Sequence, residues 1–382
     1  MQIVAINWHV YEITKSPLAL GGVGLVRALP IIFCSLAGGV LADAIDRKRL
    51  MLTTQGVMLT SAASLGAITA LGLDRLWLIY LLTAISSAAL AFDSPARQAM
   101  LPTLVPVEDF PNAVSLVLVV FNSAMIGGPA LGGVLLSLRG PALIYVINAA
   151  SFVAVIVALL LMRRHPRRDA GSDASGISFA ALREGLRFVW RSPIIVQTMT
   201  LDFIATFFAS TTVLLPIFAR EILHSDARGF GLLAAAPAAG SVICGLVMAR
   251  LGVLRRQGKI VLASISIYGA ATVLFGISHW FWLSLLMLAV VGASDTVSTV
   301  LRQTIRQLVT PDHLRGRMTS VNMIFFMGGP QLGELEAGAV AALIGAQLSV
   351  VTGGLGCLIA VVIAMLAAKS LMHYDGPAKV SA

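Results

Sequence analysis

The chain has 382 residues, of which 58% are hydrophobic and only 12% charged. Soluble globular chains carry about 25% charged residues, so the composition excludes a soluble fold and indicates a multi-pass membrane protein. The net charge of +9 does not point to nucleic acid. Most of the 27 Lys and Arg fall in one alternating set of loops or at the helix ends that border them. Only Lys15, Arg75, Arg139, Arg220 and Arg228 lie on the other side, and Arg27 lies inside a span. This positive-inside asymmetry places residues 43–49, 163–191, 250–259 and 302–317 in the cytoplasm.

In chain order, residues 1–12 are apolar but too short to span a bilayer, which takes roughly 20 residues. Fuller spans are predicted at 17–42, 49–72, 76–101, 112–137, 141–162, 193–219, 229–251, 258–278, 280–305, 317–342 and 346–370. Between the fifth and sixth of these full spans the apolar pattern breaks. Arg163-Arg164-His165-Pro166-Arg167-Arg168 leads into the flexible Gly171-Ser172-Asp173-Ala174-Ser175-Gly176. Ile177, Phe179, Leu182, Leu186 and Val189 then recur at helical spacing, predicting an amphipathic helix along the inner leaflet. The expected organisation is an N-terminal bundle over 1–162, a cytoplasmic linker over 163–192, a C-terminal bundle over 193–370 and a cytoplasmic tail over 371–382.

The two bundles are written as a repeat. Arg97-Gln98, Pro106 and Gly128-Pro129-Ala130-Leu131-Gly132 match Arg302-Gln303, Pro311 and Gly329-Pro330-Gln331-Leu332-Gly333. Tandem bundles in one bilayer are the architecture of many secondary transporters, with the substrate path between the halves. Eleven full spans cannot make two equal halves. Glu12-Ile13 matches Glu221-Ile222, and the second copy begins near Pro193. The first helix is therefore expected to begin roughly 15 residues upstream of Met1, an internal methionine on this reading.

Gly39-Val40-Leu41-Ala42-Asp43-Ala44-Ile45-Asp46-Arg47-Lys48-Arg49 joins the first two full spans on the cytoplasmic side. It resembles the loop motif of the major facilitator superfamily, with Ala44 and Asp46 where that family usually has a basic residue and glycine. The resemblance implies a cytoplasmic gate in which Asp43 pairs with Arg97, with Gly39, Arg47, Arg49 and Asp93 beside them. Gly128-Pro129-Ala130-Leu131-Gly132-Gly133 is similar to the antiporter motif of the superfamily's exporters and implies efflux. A proline inside a membrane helix frees a carbonyl and kinks the axis, while the glycines admit a close neighbour. Tyr11-Glu12-Ile13-Thr14, Leu214-Leu215-Pro216, Arg315-Gly316-Arg317 and Gly333-Glu334-Leu335-Glu336-Ala337-Gly338 resemble the branch of siderophore exporters and proton-coupled drug exporters. The implied fold is an all-α bundle of two six-helix halves, with the first helix truncated.

Ionisable groups inside spans are costly and are functional candidates by default. Arg27 is about 15 Å from the outer end of its span and Asp202 about 13 Å from the cytoplasmic end of its own, at 1.5 Å per residue. Both are candidates for substrate charge recognition and proton coupling, or for a structural ion pair with each other. Glu334 and Glu336 are further candidate proton carriers, or else face water or backbone. Asp93 and Arg97, four apart in acid-first order, read as a local pair. Asp295 with Arg302 and Arg306 reads as the counterpart. Phe203, Phe207, Phe208, Phe325 and Phe326 suit an aromatic cavity or plain packing. Cys34, Cys244 and Cys357 are far apart in apolar segments and read as small core residues, with no metal site expected.

The expected function is export of drugs or siderophore-like small molecules from the cell across the cytoplasmic (inner) membrane. The proton gradient would drive it, without a cofactor. The expected partners are a small-molecule substrate, protons and membrane lipids, and no nucleic acid. An uptake symporter of the same fold is the first rival. A membrane-embedded enzyme is the second, and it is not expected: His9, His165, His224, His279, His313 and His373 are scattered at segment ends or loops.

Overall fold

The computed structural model describes residues 1–44, 46–162, 187–251, 255–311, 314–367, 369–372 and 374. Side-chain surroundings are described for fewer: those of 35–44, 323–328 and several shorter stretches are outside this set. Among the described residues every element is helical. In chain order these are α1 (Gln2–Thr14), α2 (Pro17–Ala44), α3 (Arg47–Ala70), α4 (Leu76–Leu104) and α5 (Phe110–Leu161). Then follow α6 (Pro193–Phe208), α7 (Ala227–Leu251), α8 (Gln257–Ile277), α9 (Phe281–Val309), α10 (Arg315–Ile344), α11 (Ala346–Ala367) and the short α12 (Lys369–Met372). Eight segments among the described residues are long and apolar enough to cross a membrane. The residues before 187 in the expected linker helix, and most of the expected tail, lie outside the described residues.

Two predicted spans run together in α5. The chain stays helical to Leu138, breaks at Arg139 and Gly140, and restarts at Pro141. Gly140 has φ 69° and ψ −170°, a region open essentially only to glycine. Proline supplies the first position of the next arm without needing its missing N–H. One predicted span, 193–219, is not a continuous helix. α6 ends at Phe208, and a 3-10 turn over Thr212–Leu214 leads into a π turn over Phe218–Ile222. Pro216 and the Ser210-Thr211-Thr212 run explain the break, because proline lacks a donor and small hydroxyls compete for backbone groups.

The chain divides into two compact units: Met1–Lys15 with Val23–Ser178, and Ser16–Gly22 with Phe179–Ala382. In the first unit α3 packs on α4 and α5, and α1 on α5. In the second, α7 packs on α9, α8 on α9 and α11, and α6 on α10 and α11. The first turns of α2 belong to the second unit because Gly21 lies against the backbone of Glu334 and Gly338 on α10.

Side chains divide as they do in a bilayer. In the second unit Leu201, Val261, Leu262, Ile265, Leu301, Ile305 and Val361 form a buried core. Leu116, Val117, Val119, Val120 and Phe121 on α5 are exposed, as suits contact with lipid. Trp77, Trp280 and Trp282 at the starts of α4 and α9 and Trp190 just before α6 are also exposed, at helix ends as in an interfacial aromatic belt. Val189, the last apolar position of the expected linker helix, is buried against Ile195, Met199 and Met318. That end of the segment docks on protein and not on lipid.

Candidate functional site

Asp202 is on α6, nine residues from its start, and its side chain is almost fully buried. Asp295, Thr299, Arg302 and Arg306 stand on α9 at steps of four, three and four, which is one face of a helix. That face meets Asp202. Arg302 Nη2 is 2.8 Å from Asp202 Oδ1, and Arg306 Nη1 is 3.6 Å from Oδ2. Arg302 Nη2 also donates to Thr299 Oγ1 at 3.0 Å and comes within 3.8 Å of Asp295 Oδ1. Asp202, Arg302 and Arg306 are buried, whereas the Asp295 side chain is 48% exposed.

The four groups form a polar cluster with zero net charge when all are ionised. Arg302 is shared between a buried carboxylate and an accessible one. Asp202 Oδ2, Arg302 Nε and Arg306 Nη1 have no hydrogen bond among the described groups. Two buried guanidinium groups face this one buried carboxylate, so neutralising Asp202 leaves a buried net positive charge unless an arginine moves. Arg302 has somewhere to go, since Asp295 is its second neighbour. The sequence reading joined Asp295 to Arg302 and Arg306 but missed that Asp202 meets the same arginines. The 4-3-4 spacing on α9 is the signal that could have found it.

The corresponding stretch of the first unit is built differently. Asp93, buried on α4, accepts from Thr54 Oγ1 and Gln55 Nε2 of α3, each at 3.0 Å. Arg97 Nη2 is 2.7 Å from its other oxygen, and Arg97 is 58% exposed. Gly39 and Asp43 are on the last turns of α2, and the expected Asp43–Arg97 pair lies outside the described residues. The departure at Asp46 has a local explanation: it caps α3, accepting from the Arg49 N–H at 3.1 Å. In the basic cluster Lys48 Nζ donates to the Met162 carbonyl at 2.7 Å, near the end of α5.

Gly128 and Gly132 of α5 let α1 approach, with a built Cβ falling 3.3 Å from Met1 N and 3.5 Å from Met1 Cα. Gly133 is buried beside them, and Pro129 is inside the helix. Gly329 and Gly333 of α10 do the same for α6, and here a Cβ on Gly333 would overlap the Phe207 carbonyl. Phe203 and Phe207 stack, and Phe207 and Phe208 meet edge to face. The side chains of Phe325 and Phe326 are outside the described set. Arg27 is half-buried on α2 in the first unit, and Glu334 and Glu336 are half-buried on α10 in the second. Asp202 is thus partnered within its own unit.

His9 is not at a segment end. It is buried inside α1, between Asp74 of the α3–α4 turn and Tyr145 of α5. Asp74 is a long way off in sequence, so spacing gave no sign of the pairing.

The sequence profile of a family described as transmembrane secretion effector matches residues 1–377. The enterobactin exporter EntS of Salmonella choleraesuis strain SC-B67 is 28% identical over 371 residues, covering 97% of this chain and 89% of that protein. The enterobactin exporter EntS of Shigella dysenteriae serotype 1 is 28% identical over 374 residues, covering 98% and 87%. Among solved structures, a bacterial homologue of the human lysosomal transporter Spinster superposes with a TM-score of 0.71 at 16% identity, over 99% and 96% of the two chains. The nucleoside transporter NupG gives 0.69 at 14% identity, over 97% and 95%. The fold is that of major facilitator transporters, and the chain is a multi-pass protein of the inner membrane.

Proposed function

We propose that this chain, which belongs to the transmembrane secretion effector family of the major facilitator superfamily, exports a drug- or siderophore-class small molecule in exchange for protons. The observation that carries the direction is the whole-length similarity to enterobactin exporters. Transport proceeds by alternating access of the two bundles. Asp202 is the coupling acid, because it is a buried carboxylate whose main counter-ion, Arg302, has a second carboxylate within reach in Asp295. Protonation of Asp202 releases Arg302 toward Asp295, and loss of the proton draws it back. This change of partner costs less than stranding a charge, since breaking a buried pair outright costs about 3–5 kcal/mol. The remaining candidates are secondary: Arg27 for substrate charge, Glu334 and Glu336 for protons on α10.

The test is intracellular accumulation of a panel of dyes and siderophores in cells lacking their own exporters. Expression should lower the level of at least one compound, and a protonophore should remove the difference. Accumulation that rises with expression and depends on the gradient would establish the uptake symporter instead.

A further inference from the structure

His9 is the one histidine of the described spans that is buried, and it stands between two partners from different elements. Its Nε2 is 2.8 Å from Asp74 Oδ2, and its Nδ1 is 3.2 Å from the Tyr145 hydroxyl. The His9 side chain is 3% exposed and Asp74 27%, and Tyr145 is fully buried. The chain thus runs from outside water through a carboxylate to an imidazole and then to a phenol. By the positive-inside asymmetry this end of α1 faces outward.

The hydrogen-bond chemistry suits both charge states of the ring. A carboxylate only accepts, so Nε2 carries a proton and donates to Asp74. In the neutral ring Nδ1 is then a lone pair that accepts from the Tyr145 O–H. When a proton arrives, Nδ1–H donates and the Tyr145 oxygen accepts, while the ring gains an ion pair with Asp74. No covalent bond in the protein breaks, and the hydrogen bond between ring and phenol reverses its direction. One proton is taken from water, and the phenol hydroxyl turns. A buried imidazolium is ordinarily expensive, but a carboxylate at hydrogen-bond distance offsets that cost.

We infer that His9, held between Asp74 and Tyr145, is an outward-facing proton-binding site that tightens the outer end of the first unit when it is protonated. The site joins α1, the α3–α4 turn and the second arm of α5, so its ion pair acts on three elements at once. Proton uptake from the outer medium would therefore stiffen this end in acid and loosen it as the pH rises. The other ionisable groups on the elements packed here are Tyr11, Glu12 and Lys15 on or beside α1, Arg75 and Tyr80 at the start of α4, and Arg139 on α5. None of these residue types ordinarily titrates between about pH 5 and 8, where histidine does. The Met1 amine is at the other end of α1, about 12 Å away at 1.5 Å per residue. This inference stands apart from the coupling role of Asp202, which belongs to the second unit.

The test uses the full chain in lipid nanodiscs, with Cys34, Cys244 and Cys357 replaced. A nitroxide is placed at Leu73, an exposed residue next to Asp74. Lowering the pH from about 8 to 5 should raise the immobile fraction of the label about twofold in a single step. His9→Gln should abolish the step. Tyr145→Phe should keep a step, and Asp74→Asn should shrink it. A flat wild-type profile overturns the inference, and so does a His9→Gln profile that matches wild type. If His9→Gln fails to fold, the decision passes to Asp74→Asn, where an undiminished step overturns it. Proton-driven efflux that survives in His9→Gln leaves the inference intact, because the label and not transport reads this site.

Discussion

The stability of a buried charge depends on its partners, and Asp202 has two. Asp202→Asn removes the carboxylate from two buried guanidinium groups without changing its shape. The expected outcome is loss of stability by about 3–5 kcal/mol, together with loss of proton-driven efflux, since an amide cannot exchange a proton. Thermal unfolding of the purified variant and efflux across an imposed gradient check the two effects separately. Normal efflux would move the coupling role to Glu334 or Glu336. At the outer end of the first unit, the hydrogen bond from His9 holds the Asp74 carboxyl below the usual aspartate range. A depressed folded-state value means that its contribution is present above the unfolded value, about 3.9, and is lost as the pH falls through the folded one. The stability advantage of wild type over Asp74→Asn should therefore persist at pH 5 and disappear only below about pH 4. Melting curves over that range decide it. A wild-type advantage already gone at pH 5 would mean that another group supplies it.

Among the elements, the two glycine–proline helices are alike in sequence but not in packing. The motif in α5 is the sharper match to the exporter pattern, yet α10 makes the closer approach. A methyl group at Gly132 would meet Met1 and Val4 at ordinary contact distance, whereas at Gly333 it would overlap the Phe207 carbonyl. Gly333→Ala should accordingly lower the melting temperature more than Gly132→Ala, since backbone atoms of α6 cannot give way as a side chain can. Equal effects would show that the α6–α10 approach relaxes easily. The α5 kink is a different case. Gly140 has no atom within 4 Å of a built Cβ, so Gly140→Ala tests backbone strain alone. Its cost should be about 1–3 kcal/mol, read as a shift in the unfolding midpoint.

At the scale of the whole molecule, two compact helical units and a family shared with exporters lead to one measurement. Purified protein in proteoliposomes should move an amphipathic substrate only when a proton gradient is imposed. The rate should collapse when a protonophore is added. Transport that ignores the gradient would leave the fold and family untouched but remove the coupling. Family membership rests on a match that spans residues 1–377, whereas coupling rests on one polar cluster.

Composition and the repeated Arg-Gln and Gly-Pro segments were enough to determine the class and the duplicated helical halves, and the distribution of Lys and Arg set the expected orientation. These depend on apolar length and charge asymmetry, which are local and additive along the chain. The resemblance of Gly39–Arg49 and Gly128–Gly133 to known motifs supplied the superfamily. Sequence pattern did not reveal that α6 breaks after Phe208, because the apolar residues resume at once from Val213 and the whole stretch is long enough to read as one span. Nor did it reveal that Asp202 sits on Arg302 and Arg306, or that His9 sits on Asp74. Each of those contacts joins residues that are distant in the chain. A hydropathy pattern shows which face of a helix is apolar but not which neighbour that face meets, and only tertiary packing decides which buried charge is answered and by what.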